Sequence, residues 1–154
     1  MPASALPERN FSSAKASLSD VMDSVVRTRQ PQMVQRHNGK EVMLLVRPDD
    51  LRRWLNTFTL PLSVTLGDGD VAVSAQNLGV IGIGESFEAA LDDLLDEIRA
   101  YASRFFKRPY FYLETDRAGH YPYLLRFALT PADEQRSLLE QDCSKPPDAV
   151  ASSL

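Results

Sequence analysis

Cysteine is nearly absent. Cys143 is the only one among 154 residues, so no internal disulfide can form and nothing demands an oxidising compartment. Histidine is scarce as well: His37 and His120 lie far apart, and no cysteine or carboxylate pair stands near either at metal-ligand spacing, so no metal site and no cofactor are expected. No apolar run approaches the ~20 residues of a membrane span. The opening Met1-Pro2-Ala3-Ser4-Ala5-Leu6-Pro7-Glu8 lacks the basic and apolar stretches of a signal peptide. A cytoplasmic chain without membrane contact is the expectation. No internal repeat of solenoid period is visible. With 44% hydrophobic and 25% charged residues, the composition excludes a fibrous or wholly disordered chain and fits one globular domain or two small ones.

Nor is there much net charge, formally −4, but its distribution is uneven. Residues 1–56 hold nine Lys/Arg against six Asp/Glu, a balance of +3; the remainder holds eight against fifteen, a balance of −7. A basic front and an acidic back read as two surfaces with two partners, although scattered solvated charge would give the same sums.

In the front part, Leu18, Val21, Met22, Val25 and Val26 recur at helical spacing, predicting one helix over 12–28 with Ser12 or Ser13 as its cap. Pro31 ends it. Met33-Val34-Gln35-Arg36 and Val42-Met43-Leu44-Leu45-Val46 flank His37-Asn38-Gly39-Lys40, and Asn-Gly accepts the positive φ angles of a hairpin turn. Pro48, Asp49 and Asp50 suit the start of a second helix carrying Leu51, Trp54 and Leu55. This α-β-β-α unit, residues 1–56, is too small to bury much apolar surface alone. It is expected to dimerise through helix 1, with Leu18, Val21, Met22 and Val25 at the interface.

Residues 57–61, ending at Pro61, read as a linker. Beyond them, Leu62/Val64/Leu66, Val71/Val73/Ala75 and Val80-Ile81-Gly82-Ile83-Gly84 alternate between turns as a three-stranded meander. Ser86 then caps a long helix whose apolar face runs from Phe87 through Leu91, Leu94, Ile98 and Tyr101 to Phe105. Tyr110-Phe111-Tyr112-Leu113-Glu114 and Tyr123-Leu124-Leu125-Arg126-Phe127 are predicted to form a second hairpin, and Thr130-Pro131 to open a short last helix. The second domain spans 62–142, and 143–154 reads as a disordered tail. The fold class is therefore α+β: an α-β-β-α unit, then a meander, a helix and a β-hairpin.

Signals for catalysis are weak. Asp68-Gly69-Asp70 lacks the rest of a calcium loop and reads as a turn. Gly79, Gly82 and Gly84 are wrongly spaced for a dinucleotide fingerprint, and Glu85 would oppose a phosphate there, so these glycines relieve crowding instead. Cys143 has no paired base. Asp92, Asp93, Asp96 and Glu97 invite a two-metal nuclease reading, against the simpler account of a solvated helix face. No catalytic residue is assigned, and no enzyme is expected.

Binding signals concentrate in 1–56. Arg9, Asn10, Ser12, Ser13 and Lys15 gather donors at a helix N-terminus, which favours phosphate. Arg36, His37, Asn38 and Lys40 place more donors at a hairpin tip, where arginine fits phosphate or guanine and asparagine fits adenine. An ordinary polar loop would look the same.

Residues 9–55 resemble the N-terminal domain of the Phd/YefM family of type II antitoxins. The residues that carry the likeness are Asn10-Phe11-Ser12-Ser13-Ala14-Lys15, Leu18-Ser19-Asp20-Val21-Met22, Arg36-His37-Asn38-Gly39-Lys40 and Arg47-Pro48-Asp49-Asp50-Leu51. The resemblance implies a homodimer that binds operator DNA and represses its own operon. It assigns the DNA contacts to Arg9, Asn10, Ser12, Ser13, Lys15, Arg36, His37, Asn38 and Lys40. Two departures are Arg47 where a small capping residue is usual and Gln32 where valine is usual. Residues 62–106 are similar in order to the HicB-type antitoxin domain, with Ser86-Phe87-Glu88-Ala89-Ala90-Leu91 opening the long helix and the proline-rich turn reduced to Gln76-Asn77-Leu78-Gly79. Either resemblance implies a cognate toxin as partner of the acidic half, in many such systems a ribonuclease with a basic active site. The competing reading is a stand-alone dimeric transcriptional regulator whose second domain senses a ligand or stabilises the dimer.

Overall fold

The computed structural model describes residues 5–143. They divide into two compact units, one through Arg53 and one from Trp54 onward. The described residues form a mixed α+β structure with seven α-helices and two three-stranded sheets.

In the first unit the order is β1 (Glu8–Asn10), α1 (Phe11–Ala16), α2 (Leu18–Thr28), β2 (Gln32–Arg36), β3 (Glu41–Leu45) and α3 (Pro48–Trp54). The expected α-β-β-α unit thus gains a strand at its start. β1 pairs parallel with β2, and β2 antiparallel with β3. Three residues are too few to show a strand period in sequence. What fixes β1 is pairing, prefaced by the Pro7 carbonyl, which accepts from the Met33 amide at 2.9 Å and from Gln32 Nε2 at 2.8 Å.

The single helix expected over 12–28 is two helices. Ser17 breaks it with non-helical φ −128° and ψ 39°, and its Oγ donates to the Ser13 carbonyl at 2.9 Å. A serine hydroxyl bonding back to the preceding turn competes with the regular ladder. The cap also moves: Asn10 Oδ1, not Ser12 or Ser13, accepts from the Ser13 amide at 2.8 Å. Ala14, Val21 and Val34 form the buried core, with Leu45 packed against it. The hairpin stands as expected, its last pair Arg36 with Glu41. His37, Asn38 and Gly39 all take positive φ in the four-residue connection, one residue more than Asn-Gly foretold. Arg29, also at positive φ, ends α2, and its Nε donates to the buried Asp50 of α3 at 2.9 Å. That guanidinium holds the Asp50 carboxyl below the ordinary carboxylate range.

The second unit opens with the meander as read: β4 (Leu62–Leu66), β5 (Val71–Ala75) and β6 (Val80–Gly84), antiparallel in that order. α4 (Phe87–Lys107) follows, with Ser86 Oγ accepting from the Ala89 amide at 3.1 Å. Its buried face includes Ala90, Leu91, Leu94, Ile98, Tyr101 and Phe105. Gly82 and Gly84 are where helix and sheet meet. A Cβ on Gly82 would lie 2.3 Å from the Ala90 carbonyl oxygen and equally close to the Leu94 amide nitrogen.

No second hairpin follows. Its two runs fall in α5 (Pro109–Leu113) and α6 (Tyr121–Leu129), separated by a tight helical turn over Asp116–His120. The aromatic content suggested strands, but proline stands near the start of each helix and buried Leu124 and Phe127 lie three apart. The last helix, α7, covers Gln135–Cys143 and begins later than Thr130-Pro131 indicated. Thr130 Oγ1 is spent on the Arg126 carbonyl at 2.9 Å. Cys143 therefore belongs to a helix rather than a tail, and 144–154 lie outside the described residues.

The supposed linker is likewise part of the fold. Leu60 is buried and its amide donates to Asp142 Oδ2 at 2.8 Å, while the Phe58 carbonyl accepts from Arg126. Arg126 and Asp142 form a buried ion pair at 2.8 Å.

Candidate nucleic-acid interface

The parallel pairing of β1 with β2 sets Asn10 opposite Gln35 and so brings the start of α1 beside the hairpin tip. Asn10, Phe11, Ser12, Gln35, Arg36, His37 and Asn38 line one open cleft of about 490 Å3. Within it Asn10 caps α1, whose first amides otherwise lack partners. The Arg36 guanidinium lies 5.9 Å from the Phe11 ring centroid and pairs with Glu41. Both partners of that pair are half exposed, and such pairs hold by only about 0–1 kcal/mol, so Glu41 restrains Arg36 only weakly. Gln35 Oε1 accepts from the Gly39 amide at 2.9 Å, bracing the turn that presents His37 and Asn38.

A family model described as "antitoxin of toxin-antitoxin, RelE / RelB, TA system" matches residues 5–140. The chain belongs to this antitoxin family. A solved structure from Syntrophomonas wolfei subsp. wolfei, described as the antitoxin part of a proposed toxin/antitoxin system, superposes with a TM-score of 0.75. It covers 86% of this chain and 96% of that one at 21% identity, which shows a shared fold. No curated protein matches the chain significantly.

In this antitoxin the sequence-derived contact residues part company. Asn10, Ser12, Arg36, His37 and Asn38 converge on the cleft. Arg9 is half-buried in β1, its Nη1 donating to Ser17 Oγ at 3.4 Å. Ser13, Lys15 and Lys40 are exposed but do not line the cleft. Phe11 and Gln35 were not singled out from the sequence.

The expected interface residues also divide. Val21 and Val25 are buried within the unit, whereas Leu18 and Met22 are 50% and 57% exposed and continue to exposed Val26 along one face of α2. In the acidic helix, Asp92 pairs with Arg136, Asp96 with Arg99, and Asp93 accepts from the Ile83 amide at 2.8 Å. Asp93 thus ties α4 to β6, and among the described residues no group of three or more His, Cys, Asp or Glu could hold a metal ion. No helix among them is long and apolar enough to cross a membrane.

Proposed function

We propose that this antitoxin is a non-catalytic cytoplasmic homodimer that neutralises a cognate toxin by direct binding and represses its own operon by gripping operator DNA. The reading places it with the Phd/YefM type through unit 1 and gives the HicB-like second unit the toxin. The observation that carries it is the cleft where capped α1 and the Arg36-His37-Asn38 tip converge. Helix amides, an arginine fork and an amide side chain there match phosphate and base edges. The exposed Leu18, Met22 and Val26 stripe on α2 supports self-association, because a unit this small leaves an apolar face to cover.

The test is a gel-shift and anisotropy series on the promoter fragment upstream of the protein's own gene. Arg36→Ala is expected to weaken binding by about 1–3 kcal/mol and to lower the salt slope by about one, with the melting temperature unchanged. Co-expression with the adjacent small open reading frame tests neutralisation. A neighbour that is harmless alone, together with intact operator binding, would favour the stand-alone regulator.

A further inference from the structure

The acidic unit hides an uneven placement of its cations. Arg99, Arg126 and Arg136 are each tied to carboxylates: Asp96, Asp142, and the Glu88, Asp92 and Glu140 group respectively. Arg104, Lys107, Arg108 and Arg117 make no ion pair among the described residues. All four gather at the C-terminal end of α4 and the tight turn over Asp116–His120. Arg104 and Arg117 line a cleft of about 240 Å3 together with Tyr101, Glu97 and residues 78–81. The Arg117 guanidinium lies 5.8 Å from the Tyr101 ring centroid.

Aromatic rings lead outward from that cleft. Tyr101 meets Tyr112 edge-on at 6.2 Å, and Tyr112 meets Phe111 at 5.3 Å. Phe111 is 55% exposed and Tyr110, next to it in α5, is 72% exposed. Guanidinium forks without a carboxylate partner bind phosphate oxygens, and exposed ring faces stack bases irrespective of sequence.

We propose that this end of the second unit binds single-stranded nucleic acid, with Arg104 and Arg117 on a backbone phosphodiester and Tyr110 and Phe111 as stacking surfaces. Two arginines against Glu97 leave the cleft lining one net positive charge, which attracts a backbone phosphodiester. A duplex carries one negative charge per ~1.7 Å along a stiff axis. It would set phosphates against the acidic remainder of the unit, whereas a short single strand fits the basic end alone. The site lies in a different unit from the operator cleft and does not depend on that reading.

The test uses the full chain and a fluorescein-labelled oligodeoxythymidylate of about 15 nucleotides, followed by anisotropy. Arg104→Gln and Arg117→Gln are each expected to weaken binding about tenfold and to lower the salt slope by about one. Glu97→Gln is expected to tighten it, a gain that a merely structural carboxylate would not give. AMP, inorganic phosphate and an oligoglutamate peptide are expected to compete weakly. Arg117 packs on Tyr101, so if its variant melts early, Arg104→Gln decides. Affinity unmoved by Arg104→Gln overturns the proposal. Equal competition by AMP would make it a free-phosphate site, and by oligoglutamate an acidic-peptide site; either overturns it too.

Discussion

One methyl group at Gly82 has nowhere to go, because both atoms nearest its Cβ direction are backbone of α4. Gly82→Ala must push helix and sheet apart, and a loss of about 3 kcal/mol is expected in urea unfolding. Asp142 is as exacting for another reason. It takes two donors from Arg126 and one from the Leu60 amide, all buried. Asp142→Asn leaves the Arg126 charge uncompensated, and a loss of about 3–5 kcal/mol is expected by the same measurement. His120 adds a pH dependence. Burial, then the nearby Arg117 cation, hold its pKa below the ordinary 6.5, while Asp116 opposes them weakly and Tyr101 OH sits 2.7 Å from Nδ1. Below pH 6.5 the unfolded chain therefore takes up a proton that the folded chain refuses, and stability falls as pH drops through the folded value. Melting temperature should fall as pH is lowered below 6.5 in the wild type, and that dependence should flatten in His120→Asn. Little of this was legible from residue types alone. Gly82 could be read as relieving crowding, but nothing local marks Asp142 as partner of Leu60, since the pairing spans most of the second unit.

At the scale of elements, legibility followed periodicity. The meander and α4 repeat their apolar positions often enough to be read directly, and Ser86 announced the helix start. β1, α5 and α6 did not show themselves. β1 exists through pairing with β2, and α5 and α6 carry aromatic residues whose strand propensity is overridden by packing on α4. The candidate site suffered accordingly: without β1, residue patterns named the helix start and the hairpin tip separately, and only the family resemblance joined them. α2 offers a clean test of the open stripe. Met22→Glu puts charge on its exposed face while Val21 and Val25 keep the core. If the stripe is the dimer contact, wild-type melting temperature rises with protein concentration and the variant loses that dependence, checked alongside mass by light scattering.

For the whole molecule, net charge said least and its division said most. The basic unit holds the cleft proposed to face DNA, and in the acidic unit Asp92, Asp93, Asp96 and Asp142 are occupied by its own amides and arginines. The Arg126–Asp142 lock also has a meaning in time. Synthesis runs from the N-terminus, and domains generally fold as they emerge. Everything that completes the first unit has left the ribosome soon after Arg53. The second cannot close until Asp142, near the end of α7, reaches back to Leu60. Between those two moments a nascent chain carries a finished first unit and a second still open. A message cut short within α7 would yield a protein competent in one half only.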